Sequence, residues 1–357
     1  MIRHATESQL TVADADMKID LTPYLSISDL LQNAQACSRM LQLKYWTEYE
    51  SGYERVAWGR GWRYRYQKTY VTDATILEYC KSLAIPPAWN NTYIAPERNS
   101  HIIATGTDDK NRTQYIYNDA WTERRTLLNF YRLPLFYMAL KRLRRWSNAN
   151  KDTADPETKE LRIALKLLEK HYLRIGHVSY LERNKTVGLT TLLRRNITQT
   201  DADEYALEYR AKSQKLRTIV IKDREIEKFL NEAEDSDRQF IFPSWNARSL
   251  NLAIKEITRL DVTAKDFRTW GGTYAAYKHL CKNEPEVVTP AIKKTSQILG
   301  NTPAVARSSY IHPFVLRAYN DPQYASFFVP QRRRTAYESS LNKLIDTLYH
   351  DTMKEDS

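Results

Sequence analysis

The sequence predicts an α+β protein, with a small β-rich N-terminal domain followed by a larger, mostly α-helical domain. Residues 44–117 have the composition of short strands separated by turns, and after Asn118 the apolar residues recur with helical spacing. The length of 357 residues is enough for about two domains. We place a partly flexible N-terminal extension at 1–40, the β-rich domain at 41–119 and the helical domain at 120–357.

The extension differs in charge from the rest of the chain. Residues 1–40 hold five acidic and three basic residues, whereas the whole chain has a net charge of +11, so the positive excess lies after residue 40. We predict a mobile tail over roughly the first 20 residues. A short helix is predicted from Ser26 or Ser28 to Met40.

Short strands are predicted through the β-rich domain. Trp62–Tyr66 alternates aromatic residues with arginines, which predicts a strand with rings on one face and guanidinium groups on the other. A helix is expected at Ala74–Leu83 and a polar turn at Gly106–Asn111. The remaining strands are predicted at Asn91–Ala95, His101–Thr105 and Thr113–Tyr117.

Helices dominate the second domain. Glu157–Ile175 is strongly amphipathic, and Gly176 is predicted to stop this helix. Tyr205–Arg210 and Leu216–Ile221 are predicted to form a hairpin. Further helices are predicted at Asp223–Asn231, Ser249–Arg259, Thr263–Leu280, Pro290–Leu299, Pro303–Ser309 and Ala336–His350.

The charge and the 24 tyrosines favour nucleic acid as partner over a basic housekeeping role, which charge alone does not exclude. Arg124–Trp146 contains seven basic residues and no acidic one. Such a run is either a solvated helix face or a surface that faces phosphates, and the lack of a compensating carboxylate favours phosphates. The DNA-facing candidates in this run are Arg124, Arg125, Lys141, Arg142, Arg144 and Arg145.

Several enzyme and membrane classes lack their usual sequence signals. The chain has no HExxH, no paired or clustered metal ligands, no P-loop and no GxSxG, so we expect no metal site and no cofactor. Three distant cysteines fit neither a disulfide framework nor a metal knuckle, which favours a reducing, cytoplasmic compartment. No apolar run is long enough to span a bilayer, and the N-terminus lacks a signal-peptide core.

Four segments stand out together, although each alone has an ordinary structural explanation. Arg174 precedes Gly176, and Lys212 lies at the predicted hairpin tip. Thr263 and Asp266 resemble a helix capping box, with Lys265 and Arg268 on the first turns, where free N–H groups favour an anion. The fourth segment runs from Leu299 to Pro313 and contains Asn301 and Tyr310.

The order Arg, Lys, Lys-x-x-Arg, Asn, Tyr supplies what phosphodiester transfer by a tyrosine needs without a metal. Two guanidinium groups can stabilise the five-coordinate phosphorus, a lysine can protonate the departing oxygen, and the phenol can attack.

These segments resemble the type IB DNA topoisomerases of the small branch found in poxviruses and bacteria. The similarity covers roughly residues 44–330. Its six ordered blocks are Leu83–Trp89, Gly106–Tyr117, Leu173–Gly176, Asn184–Leu192, Lys265–Trp270 and Leu299–Pro313.

The resemblance implies a catalytic domain of the tyrosine recombinase and type IB topoisomerase kind. The chain would act as a monomer that clamps double-stranded DNA, nicks one strand and relaxes supercoils without ATP. A bacterial member would be associated with the nucleoid.

The resemblance also implies residue roles. Tyr310 would attack the phosphodiester to form a 3′-phosphotyrosyl bond, with Arg174 and Arg268 stabilising the transition state. Lys212, helped by Lys265, would protonate the leaving 5′-oxygen. Asn301 would donate to a non-bridging oxygen. The implied contacts to DNA are Gln114, Tyr115, Tyr117 and Tyr180.

The chain departs from the family pattern at the hairpin, where Ala211 and Gln214 replace two glycines beside the catalytic lysine. His177 and Ser179 replace lysines of the viral members, so their cleavage-site preference does not carry over. The alternative is a tyrosine recombinase, which shares the chemistry. Recombinases usually have His-x-x-Arg where this chain has Lys265 to Arg268, and Leu-Gly-His where it has Leu299 to Asn301.

Overall fold

The computed structural model describes residues 20–199, 204–234, 240–282 and 287–355. The chain divides into two compact units: Ser26–Asn129 form one, and the described residues before and after this segment form the other. The predicted mobile tail lies, up to residue 19, outside the described residues. Within these ranges, no helix combines the length and the apolar character needed to cross a membrane.

The predicted fold class is confirmed, because a β-sheet region precedes a mostly helical region. The helices are α1 (Thr22–Gln32), α2 (Ala34–Met40), α3 (Ala74–Ser82), α4 (Asp119–Tyr131), α5 (Leu133–Ala149), α6 (Pro156–His171), α7 (Val178–Asn184), α8 (Arg224–Glu234), α9 (Ala247–Thr258), α10 (Ala264–Leu280), α11 (Thr289–Leu299), α12 (Pro303–Ser309), α13 (Pro313–Ala318) and α14 (Arg334–Glu355). The strands are β1 (Tyr53–Trp58), β2 (Gly61–Tyr66), β3 (Thr69–Tyr70), β4 (Asn90–Ile94), β5 (Ile102–Thr107), β6 (Thr113–Tyr117), β7 (Ile197–Gln199), β8 (Tyr205–Arg210) and β9 (Leu216–Val220).

One antiparallel sheet organises the unit Ser26–Asn129, with the strand order β3-β2-β1-β4-β5-β6. The predicted alternation in β2 is confirmed. Tyr64 is buried in the core beside Cys80. On the opposite face Arg63 lies over the Trp58 ring at 3.7 Å, and Arg65 Nε donates to Glu54 at 2.9 Å.

The single helix predicted up to Met40 is wrong, because the structure has α1 and α2 with a break at Asn33. The Asn33 side chain accepts a hydrogen bond from the Ala36 N–H at 3.0 Å. An asparagine in that conformation caps a new helix instead of continuing the old one.

In the helical unit, α10 forms the centre of the core. Phe267, Trp270 and Tyr277 on this helix are almost completely buried, and α10 packs against α5, α6, α11 and α14. A small antiparallel sheet, β7-β8-β9, carries the predicted hairpin between β8 and β9. Because α10 is held on all sides, it is a rigid support for the side chains at its N-terminal half.

The helix predicted to run to Ile175 ends earlier than expected. α6 ends at His171, and Tyr172 takes a left-handed backbone conformation with φ 53°. The Tyr172 carbonyl accepts a hydrogen bond from the buried Arg268, which helps this non-glycine cap to persist. Arg174 therefore lies in the irregular segment after the helix and not on its last turn.

Candidate active site

Two helix ends bring Arg174 and Asn301 together. α6 is capped by Tyr172 and α11 by the left-handed Gly300 (φ 63°). Arg174 follows the first cap by two residues, and Asn301 follows the second directly. Arg174 Nη2 donates to Oδ1 of Asn301, although the two residues are 127 positions apart.

Arg268 joins the same two helix ends from α10. It is 2% exposed, and its Nη1 donates to the Tyr172 carbonyl. Its Nη2 lies 3.0 Å from the Leu299 carbonyl oxygen and 3.4 Å from Asn301 Oδ1. Burial and the positive charge of Arg174 lower the pKa of Arg268 to about 10, so the group is still charged at neutral pH.

Tyr310 follows α12 and lies beside Arg268, whose guanidinium carbon is 4.9 Å from the ring centroid. The Thr273 hydroxyl donates to the Tyr310 carbonyl at 3.2 Å and accepts from the His312 N–H at 3.1 Å. A Cβ at Gly272 would lie 2.5 Å from the Tyr310 carbonyl oxygen. Gly272 and Thr273 therefore position the backbone of Tyr310, and sequence reasoning missed both because small residues inside a helix do not stand out.

The charges around Tyr310 favour its ionised form. Burial raises the pKa of the phenol, but the charges of Arg268, Arg174 and Lys265 outweigh burial and lower the pKa below the ordinary value of 10.0. A phenol with a lowered pKa is a better nucleophile near neutral pH.

We expect Tyr310 to titrate below pH 10, which ultraviolet difference titration of wild type against Tyr310→Phe measures. The wild-type titration curve minus the curve of the variant gives the absorbance of the Tyr310 phenolate. This absorbance should rise below pH 10, because nearby cations stabilise the charged form. Tyr274→Phe is the matched control, since burial raises the pKa of Tyr274 to about 12. Missing absorbance above pH 10 in both variants would contradict the proposed environment of Tyr310.

The predicted capping interaction at the start of α10 is present. Asp266 Oδ2 accepts from the Thr263 N–H at 2.7 Å and from the Thr263 hydroxyl at 3.0 Å. The Ala264 N–H is taken by Asn251 Oδ1 at 2.9 Å, so it is not free for an anion as the sequence suggested. Lys265 is exposed on the first turn and Arg268 is buried.

Lys212 lies at the exposed tip of the hairpin between β8 and β9, as predicted. Ser213 and Gln214 both have positive φ, at 64° and 59°. The Gln214 side chain donates to the Asn184 carbonyl, and the Ala211 N–H bonds the Lys215 carbonyl at 2.8 Å. The glycine replaced by Gln214 therefore corresponds to a strained position, whereas Ala211 is in extended backbone that any residue adopts.

The site contains hydrogen-bond donors without acceptors and positive charges without carboxylate partners among the described residues. Arg268 Nε and Asn301 Nδ2 are buried with no hydrogen-bond partner in the described part of the chain. Across the same residues, no carboxylate forms an ion pair with Arg174, Lys212, Lys265 or Arg268. Buried donors without partners are costly unless a ligand satisfies them. An anion with several oxygens, such as a phosphodiester, suits this arrangement.

A third guanidinium, that of the partly buried Arg217 on β9, binds backbone carbonyls at the same helix ends, and sequence reasoning missed it. Leu216 is 69% exposed and Val220 is 38% exposed, so Arg217 is on the inward-facing side of the strand. The alternation of apolar residues in this strand predicts that Leu216 and Val220 face inward and that Arg217 faces solvent, which is the reverse of what the structure has.

The residues predicted to contact DNA from the β domain are not all on one face. Tyr115 and Tyr117 are exposed on one side of the edge strand β6, and their rings lie 5.7 Å apart. Gln114 points to the other side and donates to Asp108 at 2.9 Å. Tyr180, on α7, is 54% exposed.

The basic residues of α4 and α5 have different environments. Arg125 Nη2 bonds the Leu31 carbonyl at 2.8 Å, and Arg142 bonds the Thr258 carbonyl. Lys141 lies 5.6 Å from the centroid of the Tyr137 ring. Arg124 is partly exposed and Arg145 is exposed.

Arg144 is bound by carboxylates that come from other helices. It pairs with Glu169 of α6 at 2.8 Å and with the fully buried Glu338 of α14 at 2.7 Å. Arg334 also pairs with Glu338, at 2.8 Å. The absence of acidic residues within the run therefore did not predict the ion pairs of Arg144. We do not include Arg144 among the proposed phosphate contacts.

We expect Arg144→Met to lower the free energy of unfolding by about 3 kcal/mol, because it leaves the buried Glu338 with Arg334 as its remaining ion-pair partner among the described residues. The salt dependence of DNA binding should stay unchanged. Arg145→Met, at an exposed position, should reduce the salt slope by about 1. Urea unfolding and binding at several salt concentrations measure both quantities. A reduced salt slope in Arg144→Met would contradict the structural role of this side chain.

Comparison with known proteins identifies two families along the chain. Residues 119–308 match the sequence model described as eukaryotic DNA topoisomerase I, catalytic core. Residues 61–108 match the model described as bacterial DNA topoisomerase IB, N-terminal domain. The first match covers more than half of the chain and contains five of the six residues of the candidate site, with Tyr310 two positions beyond its end.

Similar individual proteins are viral. DNA topoisomerase 1B of Acanthamoeba polyphaga mimivirus is 29% identical over 275 residues, which is 70% of this chain and 81% of the relative. DNA topoisomerase I of Monkeypox virus is 24% identical over 297 residues, which is 80% of this chain and 88% of the relative. DNA topoisomerase 1B of Vaccinia virus (strain Copenhagen) is 23% identical over the same coverage.

Proposed function

We infer the function of this chain from its family, because it belongs to the type IB DNA topoisomerases and is therefore an isomerase. From this premise we propose that it relaxes supercoiled duplex DNA by transient cleavage of one strand, through a 3′-phosphotyrosyl intermediate and without ATP or a metal ion. The observation that carries the proposal is the unsatisfied cationic cluster around Tyr310.

In the first step the Tyr310 oxygen attacks phosphorus and the bond from phosphorus to the 5′-oxygen breaks. The phenolic proton leaves to solvent, and Lys212, assisted by Lys265, gives a proton to the departing oxygen. Rejoining is the reverse: the 5′-hydroxyl attacks phosphorus and the tyrosine leaves. The energy of the broken bond is kept in the phosphotyrosyl bond, so ATP is not required.

The transition state carries extra negative charge on the non-bridging oxygens. Arg174 and Arg268 would bind these oxygens, and the free Nδ2 donor of Asn301 would add a hydrogen bond. The contact that Asn301 makes with Arg174 fixes its amide so that the oxygen faces the guanidinium and the nitrogen is available. This role requires a donor and no titration, which an asparagine can fill.

Double-stranded DNA is the proposed partner. Exposed Tyr115 and Tyr117 offer rings to the bases or sugars, and Tyr180 offers another on the helical unit. Arg124, Arg125, Lys141, Arg142 and Arg145 remain the proposed phosphate contacts. We propose that the protein acts as a monomer, because Arg174, Arg268, Asn301 and Tyr310 come together within a single chain.

The proposed compartment is the cytoplasm, with association to the nucleoid in a bacterial host. Three buried cysteines, all free, suit a reducing environment.

The test is incubation with supercoiled plasmid in the presence of EDTA and without ATP, followed by denaturing detection of a protein–DNA adduct. We expect relaxed topoisomers and an adduct at the 3′ end of the nicked strand. A strict requirement for Mg²⁺ would overturn the proposed chemistry. Relaxation confined to plasmids that carry one particular site would favour a recombinase.

A further inference from the structure

We infer that Arg217 is a positioning residue that holds the Lys212 hairpin against the two segments carrying Arg174 and Asn301. The inference rests on the proposed function, and it concerns a residue outside the six assigned above. Arg217 lies on β9, five positions after Lys212.

The guanidinium of Arg217 binds three backbone carbonyls. Its Nη1 donates to Leu299 at 2.6 Å, and its Nη2 donates to Ile298 at 2.8 Å and to His171 at 3.4 Å. These oxygens belong to the last turns of α11 and α6, where helix carbonyls lack partners within the helix. A cation at a helix C-terminus is also favoured by the helix dipole.

Arg217 and Arg268 therefore both bind carbonyls at the ends of α6 and α11, although they come from different elements of the fold. Arg268 reaches them from α10 and shares the Leu299 carbonyl with Arg217. Arg174 follows the cap of α6 by two residues, and Asn301 directly follows the cap of α11. Within the described residues, Arg217 is the side chain of β9 that hydrogen-bonds to both helix ends. The hairpin has a second attachment elsewhere, where Gln214 bonds the Asn184 carbonyl and the Val187 N–H bonds the Arg210 carbonyl.

Gly300 lies directly against the guanidinium of Arg217. A Cβ at Gly300 would lie 2.8 Å from Arg217 Nη1, so Gly300 is needed for its left-handed φ and also for room beside the guanidinium. Within the described residues, Arg217 has no carboxylate partner. Its charge therefore adds to that of Arg174 and Arg268 in a buried region that a phosphate would neutralise.

The consequence for the reaction concerns the proton donor. Lys212 is exposed at a hairpin tip, and its neighbours Ser213 and Gln214 have positive φ, so the position of the tip depends on the attachments of the hairpin on either side of it. The anchor at Arg217 limits how far the tip can move from the phosphate. A small displacement of a catalytic group is enough to lower a rate by about 10²-fold.

The experiment uses single-turnover cleavage of a duplex that carries the strongest cleavage site mapped with the wild-type protein. One version has the normal 5′-oxygen at the scissile bond, and the other has sulfur there. A thiolate leaves without a proton, so the sulfur substrate does not need Lys212 as an acid. The variants are Arg217→Met and Arg217→Lys, with Lys212→Ala and Arg174→Ala as references.

We expect Arg217→Met to slow adduct formation on the oxygen substrate by about 10²-fold, with the dissociation constant for DNA changed less than threefold. The sulfur substrate should restore most of this rate, as for Lys212→Ala and unlike Arg174→Ala. Arg217→Lys should be intermediate, because an ammonium cannot bind three carbonyls with the geometry of a guanidinium. Wild-type rates in Arg217→Met, or a defect that sulfur does not relieve, would overturn the inference.

The matched control is Arg162→Met. Arg162 is buried, and like Arg217 it binds backbone carbonyls, those of Ser147 and Lys151 at 2.9 Å at the end of α5. A general loss of packing would lower stability and reaction amplitude in both variants, whereas the rate constant and its dependence on the leaving atom should change only for Arg217. Equal rate defects in both would overturn the inference. If wild type forms no adduct while binding DNA, the proposed function fails instead.

Discussion

The Tyr310→Phe protein is expected to lose plasmid relaxation and covalent adduct formation while it still binds DNA. The substitution removes one oxygen, and this oxygen is the proposed nucleophile. Loss of a nucleophile lowers the rate by more than about 10⁴-fold. The ring keeps its place beside Arg268 and the backbone keeps its bonds to Thr273, so the fold and the DNA surface should be unaffected.

The measurement is plasmid relaxation together with denaturing gel detection of the adduct, with binding followed in parallel. Tyr274→Phe is the matched control, since it also removes a single buried phenolic oxygen on the neighbouring α10, one without a hydrogen-bond partner. The control should relax plasmid at the wild-type rate. An adduct formed by Tyr310→Phe would show that another residue attacks and would sink the assignment.

Arg174→Ala is expected to lower the single-turnover cleavage rate by about 10²- to 10³-fold. The side chain is half-buried, and within the described part of the chain it hydrogen-bonds to the Asn301 side chain and to no backbone carbonyl, so its removal breaks no backbone anchor. The defect should therefore appear in the rate and not in the stability. Arg174→Lys should recover part of the rate, because the charge stays but the forked donor geometry is lost.

The control for lost positive charge is Arg317→Ala. Arg317 is exposed on α13, where it lies 4.9 Å from the centroid of the Phe314 ring. This variant should cleave at the wild-type rate. If both variants were equally slow, the effect of Arg174 would be a loss of general DNA attraction and not stabilisation of the transition state.

Much of the fold could be predicted from local pattern. The hairpin between β8 and β9, the helix at α12 and the alternation in β2 are present as expected, because hydrophobic period and turn residues act over short stretches. The two errors at helix ends have different causes, one local and one distant. Asn33 capped a new helix, and the Tyr172 carbonyl found a partner in Arg268, from a segment 96 residues away.

The identities of the six candidate site residues were also available from the sequence, because ordered motifs and their resemblance to a family depend on residue type and order. Their mutual contacts were not. The pairing of Arg174 with Asn301, and the free Nδ2 donor that results, depend on where α6 and α11 end in space.

The roles of the other arginines were decided by packing. The run Arg124–Trp146 contains no carboxylate, yet Arg144 is neutralised by Glu169 and Glu338 from distant helices. Arg217, in an unremarkable strand, reaches the carbonyls at two helix ends. Local sequence sets backbone preference and supplies the chemical groups. Burial and charge pairing depend on partners that are brought together when the chain folds, and a linear pattern carries no record of those distances.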